Sequence, residues 1–320
     1  MVGIGRDVKM SNDYSSNELI ICGLLGDPVE HSISPILFHF LAKSANLQNY
    51  LHIKFRIRRN IKNELKRAVD GIKVFGFRGF NITLPYKEEI IKYVDYLDVE
   101  ARKIGAVNTI LNKNRKIYGF NTDGIGAITS IETSSRKIES DDKVVVIGAG
   151  GASRAVCTEV YKRTQNLVII NRTLNRLYKV KKQLEKWGGK GVKCLILNKE
   201  NLKTELNKAD FILNTTSVGM YPNVNETLID KDLLSYLSNQ RGGLEGVVCW
   251  DAIFNPYKTL FLKEAEKLGA TVISGLGMMI HQGIRAFKIW TDKDVNLRIV
   301  PKIEKKLIKI LETKSKKESK

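Results

Sequence analysis

The chain has 320 residues, 43% of them apolar, and its 53 basic and 34 acidic residues give a formal net charge of +19. This length and apolar content predict about two domains with hydrophobic cores and exclude a disordered polypeptide. No apolar run approaches the roughly 18 residues of a membrane span, and residues 1–17 lack the apolar core of a signal peptide, so we expect a cytoplasmic protein.

The positive charge is spread along the chain, with one dense block near the C-terminus. Such a charge makes nucleic acid a candidate partner. In the C-terminal block, however, lysines surround an apolar stripe at helical spacing, formed by Ile303, Leu307 and Leu311. This pattern favours a packed amphipathic helix with a basic end. We therefore expect no nucleic-acid partner. We also expect no membrane partner, a small-molecule substrate, and a monomer or homodimer.

The four cysteines are far apart in the sequence. Cys22, Cys157, Cys194 and Cys249 form no C-x-x-C pair, which is the spacing typical of zinc sites and redox couples. We expect buried, reduced thiols and no metal.

The first half of the chain alternates strand and helix patterns. Helices are predicted from Pro35 to Ser44 and from Asn60 onward. The predicted strands cover residues 20–25, 51–57, 80–83, 107–111 and 117–120. The last two strands can pair as a hairpin through a turn at residues 112–115. Together these elements predict one α/β domain of about one hundred residues.

Lys87 closes a short run that starts at Asn81, and we interpret it as the catalytic centre. Pro85 ends ladder pairing after the short strand, so Lys87 is expected at the strand end, where α/β enzymes place their chemistry. Two polar clusters, at residues 32–35 and 121–123, are expected to converge on it. A solvated surface lysine is the alternative, since most lysines are of that kind.

The second half of the chain predicts a doubly wound sheet. A helix is expected from near Asp123, followed by a linker at residues 133–142. The apolar run at 143–147 then predicts a strand buried on both faces. Further strand patterns, separated by helices, lie at residues 166–170, 192–197, 211–214 and 246–250. After Ile273 only helices are predicted.

A glycine-rich turn follows the strand at 143–147 and opens a helix. It has the pattern G-x-G-x-x-S, with Ser153 where a third glycine would complete the motif. Free backbone N–H groups and the helix macrodipole at such a turn can hold a pyrophosphate. A tight turn without a ligand is the alternative. The residues predicted to contact the cofactor here are Gly148, Ala149, Gly150, Gly151 and Ala152.

The end of the next strand indicates which dinucleotide is used. An NAD enzyme would place a carboxylate there against the ribose 2′-hydroxyl. This chain instead has Asn171, Arg172 and Thr173, with Arg176 one turn later. Two guanidinium groups and a hydroxyl suit a 2′-phosphate, because arginine donates hydrogen bonds in a fork that matches phosphate geometry. The residues therefore favour NADP, with surface arginines as the alternative.

With these features in order, the chain resembles the shikimate dehydrogenase family from about Leu19 to Trp290. Besides the glycine turn and Asn171 to Thr173, the motifs that carry the resemblance run from Gly26 to Pro35, Asn81 to Lys87, Gly105 to Thr109, Gly119 to Gly124, Asn214 to Met220 and Gly275 to Gln282. The resemblance implies a two-domain α/β fold: an N-terminal substrate domain at 19–122 and a Rossmann-type doubly wound NADP domain at 123–275. It also implies that C-terminal helices at 276–320 return to the substrate domain. Residues 1–18 are then an N-terminal extension that precedes the first domain.

The resemblance implies reversible, NADPH-linked reduction of 3-dehydroshikimate to shikimate, in the route to chorismate and aromatic amino acids. Lys87 and Asp123 match the catalytic pair of the family. Which of the two accepts the proton stays open, because the pair can titrate together. The implied substrate contacts are Ser32, Ser34, Thr83, Lys87, Asn108, Asp123, Gln282 and Phe254, the last standing where the family usually has tyrosine. Further implied cofactor contacts are Thr215, Ser217, Ala252 and Gly275.

The two serines also have a physical rationale for binding a carboxylate. Ser32 and Ser34 are expected on one side of an extended segment, beside the N-terminus of the helix that follows. Ser34 is expected to be the N-cap, with Pro35 at the first helical position, and a purely capping role is the alternative.

Two other functions remain open at this stage. One is a quinate/shikimate dehydrogenase that uses NAD or NADP, which would be expected to have an acidic residue where Thr173 stands. The other is a non-enzymatic, NADP-sensing Rossmann protein that binds nucleic acid through its basic surface. This second function predicts no turnover and strongly salt-dependent DNA retention.

Overall fold

A computed structural model of the chain describes residues 18–189 and 191–318. These residues divide into two compact units. The first consists of residues 18–122 and 282–307, and the second of residues 123–281 and 308–318. The predicted N-terminal extension lies, apart from residue 18, outside the described residues.

The first unit is built on a six-stranded mixed sheet. Its strands are β1 (Ile20–Gly26), β2 (Tyr50–Arg56), β3 (Gly79–Ile82), β4 (Tyr96–Leu97), β5 (Thr109–Lys113) and β6 (Lys116–Phe120), in the order β2-β1-β3-β5-β6-β4. β1 pairs in parallel with β2 and β3, whereas β5 is antiparallel to β3 and β6. The five strands predicted from the sequence are confirmed, with ends shifted by one or two residues. β4 was not predicted, because two residues are too short to show alternation.

A tight turn joins β5 and β6 into the predicted hairpin. Asn114 and Arg115 both have positive φ, 53° and 57°, which is the backbone of a type I′ turn. That turn type matches the twist of paired strands, so it fixes the register of β5 against β6 from Lys113 and Lys116 onward.

Three α-helices and one short 3₁₀ helix pack on this sheet. They are α1 (Ser34–Ser44), α2 (Glu64–Val74), α3 (Val99–Ile104) and a 3₁₀ helix at Glu89–Tyr93. α1 is confirmed, but the helix expected from Asn60 begins only at Glu64. Asn63, the residue before it, has φ 59°, in the left-handed region that a right-handed helix excludes.

The second unit contains a six-stranded, fully parallel sheet. Its strands are β7 (Val144–Ile147), β8 (Leu167–Asn171), β9 (Lys193–Ile196), β10 (Phe211–Asn214), β11 (Val248–Asp251) and β12 (Thr271–Ile273), in the order β12-β11-β10-β7-β8-β9. Every neighbouring pair is parallel. Val144 and Val146 belong to one core cluster, and Val145 and Ile147 to another. The strand is thus buried on both faces, and the predicted doubly wound sheet is confirmed.

The helices of the second half are α4 (Asp123–Ser134), α5 (Gly151–Tyr161), α6 (Leu174–Lys186), α7 (Lys199–Leu206), α8 (Lys231–Arg241), α9 (Leu260–Lys267), α10 (Gly275–Thr291) and α11 (Val300–Glu318), with a 3₁₀ helix at Leu297–Ile299. The first part of α10, as far as His281, belongs to the second unit, and the remainder belongs to the first.

Trp290, near the end of α10, fastens that helix to the sheet of the first unit. The indole is fully buried, and its Nε1 donates to the carbonyl of Ile110 at 2.9 Å. Its own carbonyl accepts from Nε of Arg78 at 2.7 Å. The end of α10 is therefore packed against β3 and β5, the strands that adjoin the segments carrying Lys87 and Asn108.

The apolar stripe predicted in the C-terminal helix is confirmed. Ile303, Leu307 and Leu311 of α11 are buried. The surrounding lysines as far as Lys309 are exposed. The side chains from residue 314 onward, which include the rest of the predicted basic block, lie outside the described residues.

The cysteines are unpaired, as predicted. Cys22, Cys157 and Cys249 are buried and Cys194 is partly buried. Burial raises the pKa of each of the three buried thiols to about 12, so they stay protonated at neutral pH. Across the described part of the chain, no α-helix combines the length and the apolar character required to cross a bilayer.

Candidate active site

The segment between β1 and α1 presents two serine hydroxyls side by side. The Oγ atoms of Ser32 and Ser34 are 3.0 Å apart, and the backbone N–H of Ser34 donates to Oγ of Ser32 at 3.2 Å. The expected N-cap role of Ser34 is wrong. Ser34 is the first helical residue, and Ile33 occupies the cap position without a side-chain hydrogen bond. The hydroxyls meet because Ile33 makes a turn, with φ −96° and ψ 7°, and not because the segment is extended.

Charged side chains hold this segment against the end of β2. Arg56 binds Asp27 through Nε at 2.8 Å and Glu30 through Nη1 at 3.0 Å. Burial acts to raise the pKa of Asp27, but hydrogen bonds from Arg56 and the backbone N–H of Arg59 outweigh it and lower that pKa. The Asp27 carboxylate is thus kept charged, and the start of the segment that carries Ser32 is fixed.

The backbone around Lys87 is anchored on both sides. The N–H of Thr83 donates to the carbonyl of Leu25 at 2.9 Å, directly after β3 ends. Tyr86 is buried and its hydroxyl donates to the carbonyl of Ile57 at 2.7 Å. The carbonyl of Lys87 accepts from the N–H of Val107 at 2.7 Å. Lys87 itself is partly buried, so its amine extends from a fixed backbone position.

A buried polar network orients Asn108. Its side-chain oxygen accepts from the N–H of Thr122 at 2.8 Å and from Oγ1 of Thr109 at 3.0 Å. Its Nδ2 donates to Oγ1 of Thr122 at 3.0 Å and to Oε1 of Gln282 at 3.5 Å. These bonds fix the orientation of the amide, because a flipped amide would place its NH2 group against the N–H of Thr122, and two donors cannot hydrogen-bond to each other. The network therefore holds Asn108 and Gln282 next to each other.

Asp123 is the first residue of α4 and is buried. It belongs to the second compact unit, whereas Lys87 belongs to the first. A carboxylate in the first turn of a helix is stabilised by the helix dipole.

The glycine turn forms an open cradle at the N-terminus of α5. A Cβ added to Gly150 or Gly151 would meet no atom within 4 Å. Neither residue has a positive φ, so neither backbone conformation nor packing within the chain requires glycine there. The missing side chains instead leave space above the free N–H groups of an 11-residue helix, which is what a bound pyrophosphate needs. The site thus fits the dinucleotide that the sequence predicts.

The other positions of the turn have structural roles. Gly148 has φ 120°, and a Cβ there would lie 2.3 Å from Oγ1 of Thr215, so only glycine fits. Ser153, at the position of the third glycine of the motif, is fully buried and donates its hydroxyl to the carbonyl of Gly148 at 2.7 Å. The hydroxyl closes the turn, which explains why serine is accepted there.

The residues predicted to hold a 2′-phosphate are exposed at the end of β8. Nδ2 of Asn171 donates to the carbonyl of Thr173 at 3.1 Å, which shapes the loop into α6. Arg172, Thr173 and Arg176 are all exposed, and Thr173 is the N-cap of α6 without a side-chain cap bond. Two guanidinium groups beside a helix N-terminus form a cationic surface that suits a dianionic phosphate.

Three further predicted cofactor residues, Thr215, Ser217 and Ala252, lie on loops that follow β10 and β11, and a fourth, Gly275, begins α10 after β12. The hydroxyl of Thr215 donates to the carbonyl of Ile147 at 2.8 Å, under the glycine turn, and Ser217 is exposed. A Cβ on Gly275 would lie 2.1 Å from the carbonyl of Ala252, so these two residues are in close contact. Phe254, predicted to contact substrate, is partly buried in the same loop region.

Sequence reasoning missed the role of a buried carboxyl group at the end of β11, beside Asn214 of β10. Asp251 accepts from Nδ2 of Asn214 at 3.1 Å, from the N–H of Ile253 at 3.0 Å and from Oγ1 of Thr259 at 2.8 Å. Burial raises its pKa to about 6, although these hydrogen bonds act in the opposite direction. The group organises the two loops that carry Thr215 and Ala252. Its position at the end of a strand was the signal that could have indicated it.

The predicted site residues therefore fall into two sets, one in each unit. The first unit holds the serine pair, Thr83, Lys87 and the pair formed by Asn108 and Gln282. The second holds Asp123, Phe254 and all the predicted cofactor residues. The sequence also missed the orienting roles of Thr109 and Thr122, which lie within motifs that it singled out. In the described residues, no cluster of three or more histidine, cysteine, aspartate or glutamate side chains could hold a metal ion.

Comparison with known proteins agrees with this arrangement. Residues 24–110 match the family model for the shikimate dehydrogenase substrate binding domain, residues 132–241 that for shikimate / quinate 5-dehydrogenase, and residues 275–300 that for the shikimate 5′-dehydrogenase C-terminal domain.

Individual relatives are similar over most of the chain. The NADP(+) shikimate dehydrogenase of Methanocaldococcus jannaschii is 41% identical over 285 residues, which cover 88% of this chain and 94% of the relative. That of Methanococcus aeolicus is 43% identical over 279 residues, which cover 87% and 94%. A crystal structure of a shikimate dehydrogenase in complex with NADP+ matches with a TM-score of 0.80 at 39% identity, over 91% of this chain and 96% of that one.

Proposed function

Because this chain belongs to the shikimate dehydrogenase family, we propose that its first unit binds shikimate and that Lys87 and Asp123 act at the reacting hydroxyl group. Its activity is NADP-dependent oxidoreduction at a CH–OH group, the reversible reduction of 3-dehydroshikimate to shikimate. This reaction is a step in the biosynthesis of chorismate and the aromatic amino acids.

One observation carries the assignment of substrate binding to particular residues. The first compact unit contains, by itself, most of the side chains needed to hold a small polyhydroxylated acid. Such a site needs an anion cradle at one end and hydrogen-bonding side chains around the ring. The proposed substrate contacts in this unit are Ser32, Ser34, Thr83, Lys87, Asn108 and Gln282.

The serine pair is proposed to bind the substrate carboxylate. Two hydroxyls 3.0 Å apart at the N-terminus of α1 can both donate to one carboxylate, and the helix dipole favours the negative charge. Phe254 brings no hydroxyl to this task, so the serines carry the recognition.

Asn108 and Gln282 are proposed to bind ring hydroxyls. The amide of Asn108 is already oriented by Thr109 and Thr122, so binding does not have to order it. A pre-oriented group loses little entropy when the substrate arrives, which strengthens binding. Thr83 is proposed to add a further hydroxyl contact from the end of β3.

Lys87 and Asp123 are proposed to manage the proton of the reacting hydroxyl. A neutral lysine amine near that hydroxyl can accept its proton, and an ammonium can return it in the reverse direction. Asp123 is proposed to orient the amine and to hydrogen-bond the substrate.

The second unit is proposed to hold NADP, which when bound supplies the hydride carrier for the reaction. The cradle at Gly150 and Gly151 accommodates the pyrophosphate, and Arg172, Thr173 and Arg176 bind the 2′-phosphate. The remaining proposed contacts are Gly148, Ala149, Ala152, Asn171, Thr215, Ser217, Ala252 and Gly275. In domain terms, residues 19–122 bind substrate, 123–275 bind the cofactor, and the helices at 276–320 return to the substrate domain through residues 282–307.

The test is an initial-rate assay at the absorbance band of reduced nicotinamide, with shikimate and quinate each combined with NADP+ and NAD+. The wild type should turn over shikimate with NADP+. Lys87→Ala should lower kcat by about 100-fold or more, the usual scale for a lost acid or base. Lys66→Ala is the matched control, since Lys66 is an exposed lysine on α2. Full shikimate turnover by Lys87→Ala would remove its assigned role.

The same assay decides between this function and the quinate/shikimate dehydrogenase with relaxed cofactor use. The family model matched by residues 132–241 names both shikimate and quinate, so quinate is the specific competitor. We expect kcat/KM to be highest with shikimate and NADP+, because Thr173 stands where an acidic residue would favour NAD. Comparable values for quinate with NAD+ would favour the competitor.

The cellular setting is part of the same proposal. Four unpaired thiols and use of the NADPH pool fit the reducing cytoplasm. The protein is proposed to be a monomer or homodimer that does not bind nucleic acid, so its positive field serves to attract anionic small molecules. Light scattering after gel filtration gives the oligomeric state. Salt-dependent DNA retention would contradict the assignment and would support the NADP-sensing, nucleic-acid-binding alternative.

A further inference from the structure

Helix α4, which begins at Asp123, touches helix α5 without a side chain between them. A Cβ placed on Gly124 would lie 2.4 Å from the carbonyl oxygen of Ala155 and 2.9 Å from its carbonyl carbon. Both atoms belong to the backbone, so no side-chain rotation can relieve the overlap. Gly124 therefore sets the separation of the two helices where the first turn of α4 meets Ala155 of α5.

The other end of α4 is also tied to α5. Arg163, just past the end of α5, donates through Nε to Glu132 of α4 at 2.6 Å and through Nη1 to the carbonyl of Glu159 at 3.0 Å. Arg163 and Glu132 are only about one fifth exposed, 22% and 20%, so solvent screens this pair less than a surface pair. α4 is thus fastened to α5 near both ends.

A third close contact fixes α4 from another direction. A Cβ on Gly277 of α10 would lie 2.1 Å from Oγ of Ser130, which is fully buried in α4. The middle of α4 can approach α10 this closely only because Gly277 has no side chain. α4 is therefore in close contact with α10 as well as with α5.

The helix that α4 contacts is the one whose N-terminus forms the anion cradle. Gly151 opens α5, and Ala155 lies about one turn further along. Asp123 and the cradle consequently belong to one pair of helices within the second unit, with the glycine contact directly between them.

We infer that Gly124 is a positioning residue for the reaction: it brings α4 against the backbone of α5 and so fixes the Asp123 carboxyl at one distance from the cofactor cradle. The inference rests on the proposed role of Asp123. Because reacting groups must meet within a fraction of an ångström, a small displacement of α4 lowers the rate without changing what binds.

The test compares Gly124→Ala with Gly71→Ala. Gly71 lies inside α2, where a Cβ meets only the Phe75 ring at 3.7 Å, an ordinary contact. The same substitution there should raise the midpoint of thermal unfolding and leave kinetics unchanged. Gly124→Ala should lower kcat by about 100-fold, while the Kd for NADP+, measured by fluorescence titration, stays within about twofold of wild type.

The pH profile separates positioning from a loss of folded protein. Gly124→Ala should move the midpoint of the kcat profile in the same direction as Asp123→Asn. The first variant displaces the Asp123 carboxyl from the reacting hydroxyl, and the second removes its charge. Because stability itself depends on pH, kcat is expressed per folded enzyme, titrated with NADP+ at each pH, so that a smaller folded fraction leaves the midpoint unmoved. Wild-type kcat, or a lower kcat with an unmoved midpoint, would overturn the inference.

A second variant keeps the inference testable if Gly124→Ala does not fold. Arg163→Met releases the far end of α4 and should lower kcat with an unchanged Kd for NADP+. Adding Glu132→Gln should cause little further loss, because the two residues act as one pair. Wild-type kcat in Arg163→Met would then overturn the inference.

The proposed function and this inference fail in different ways. If Asp123→Asn keeps wild-type kcat, the proposed role of Asp123 fails, and the inference fails with it. If Asp123→Asn loses activity while Gly124→Ala keeps it, only the positioning role of Gly124 fails.

Discussion

Thr122 donates its backbone N–H to the side-chain oxygen of Asn108 at 2.8 Å, and both residues are buried. This bond joins the loop after β6 to the start of β5 and decides which way the Asn108 amide points. The Nδ2 group is consequently directed toward Gln282. This hydrogen bond therefore contributes both to the stability of the fold and to the orientation of a side chain that is proposed to bind substrate.

Asn108→Ala should therefore reduce stability as well as substrate affinity. It leaves the Thr122 N–H buried without its acceptor, which costs about 1–3 kcal/mol of unfolding free energy. Urea denaturation measures this loss, and KM for shikimate should rise. Thr122→Val is the matched control: it keeps the N–H bond, removes only the hydroxyl, and should cost about 1 kcal/mol. Equal losses in the two variants would contradict this account of the network.

Gly151→Ala should separate cofactor binding from folding. Because a Cβ at Gly151 enters open space, the free protein should be as stable as wild type or more stable, by up to about 1 kcal/mol. The added methyl occupies the cradle, so the Kd for NADP+ should rise by about tenfold or more. Gly148→Ala is the contrasting variant and should destabilise the fold through its φ of 120°. Undiminished NADP+ binding by Gly151→Ala would show that the cradle is not the pyrophosphate site.

Replacing the two exposed arginines should change cofactor preference alone. Arg172→Ala and Arg176→Ala should each raise KM for NADP+ by about tenfold, because each removes a charge-assisted hydrogen bond to phosphate. Their KM for NAD+ and their thermal stability should be unchanged, since both side chains are exposed. Arg58→Ala, at an exposed arginine of the other unit, controls for the loss of positive charge. An equal rise in KM for both cofactors would argue against 2′-phosphate recognition.

His52 should make the protein sensitive to acid. Its ring stacks on Phe38 with centroids 4.1 Å apart, and burial lowers its pKa to about 3 from an ordinary 6.5. Between these values the unfolded chain binds a proton that the folded chain does not, so stability is lost as pH falls below about 6.5. From pH 7.5 to pH 5 the loss from this one group is about 2 kcal/mol.

His52→Phe keeps an aromatic ring against Phe38 but cannot titrate. Its unfolding free energy should fall by about 2 kcal/mol less than that of wild type between pH 7.5 and pH 5. His39→Phe, at an exposed histidine of α1, should retain the wild-type dependence. The same acid sensitivity in His52→Phe as in wild type would refute the assignment.

Asp251 should act in the opposite direction. Burial raises its pKa to about 6 from 3.8, so the folded state keeps the proton longer than the unfolded state. Its contribution to stability is full below about pH 4 and is lost as pH rises through about 6. Between pH 4.5 and pH 7.5 this amounts to about 2 kcal/mol.

The difference between wild type and Asp251→Asn isolates that contribution. Wild type should lose about 2 kcal/mol relative to the variant as pH rises from 4.5 to 7.5, with the change centred between the two pKa values. Carboxylates with lowered pKa, such as Asp27 and Asp142, act oppositely but are common to both proteins. A pH-independent difference would mean that Asp251 titrates normally in the folded state.

Much of the fold could be predicted from the sequence because it depends on local patterns. The apolar run at 143–147 specified a strand buried on both faces, and the alternation at 51–57 specified a half-buried strand. The glycine turn and Arg172 indicated NADP because their chemistry is carried by residue type and spacing. Failures occurred where the local signal was weak, as for β4, or where the backbone overrode it, as at Asn63.

The sequence by itself determined the fold class, the motif order and the kind of ligand, since periodicity and side-chain chemistry are properties of short segments. Only the tertiary structure decided how those segments are oriented. It showed that the hydroxyl of Ser32 accepts the backbone N–H of Ser34, and that the backbone N–H of Thr122 fixes the orientation of the Asn108 amide. It also showed that Gly124 lies against the backbone of Ala155. Each of these contacts depends on a backbone turn or on the packing of segments that are distant in the sequence. Such contacts leave no local pattern in the sequence, because the residues that exclude each other sterically are not neighbours along the chain.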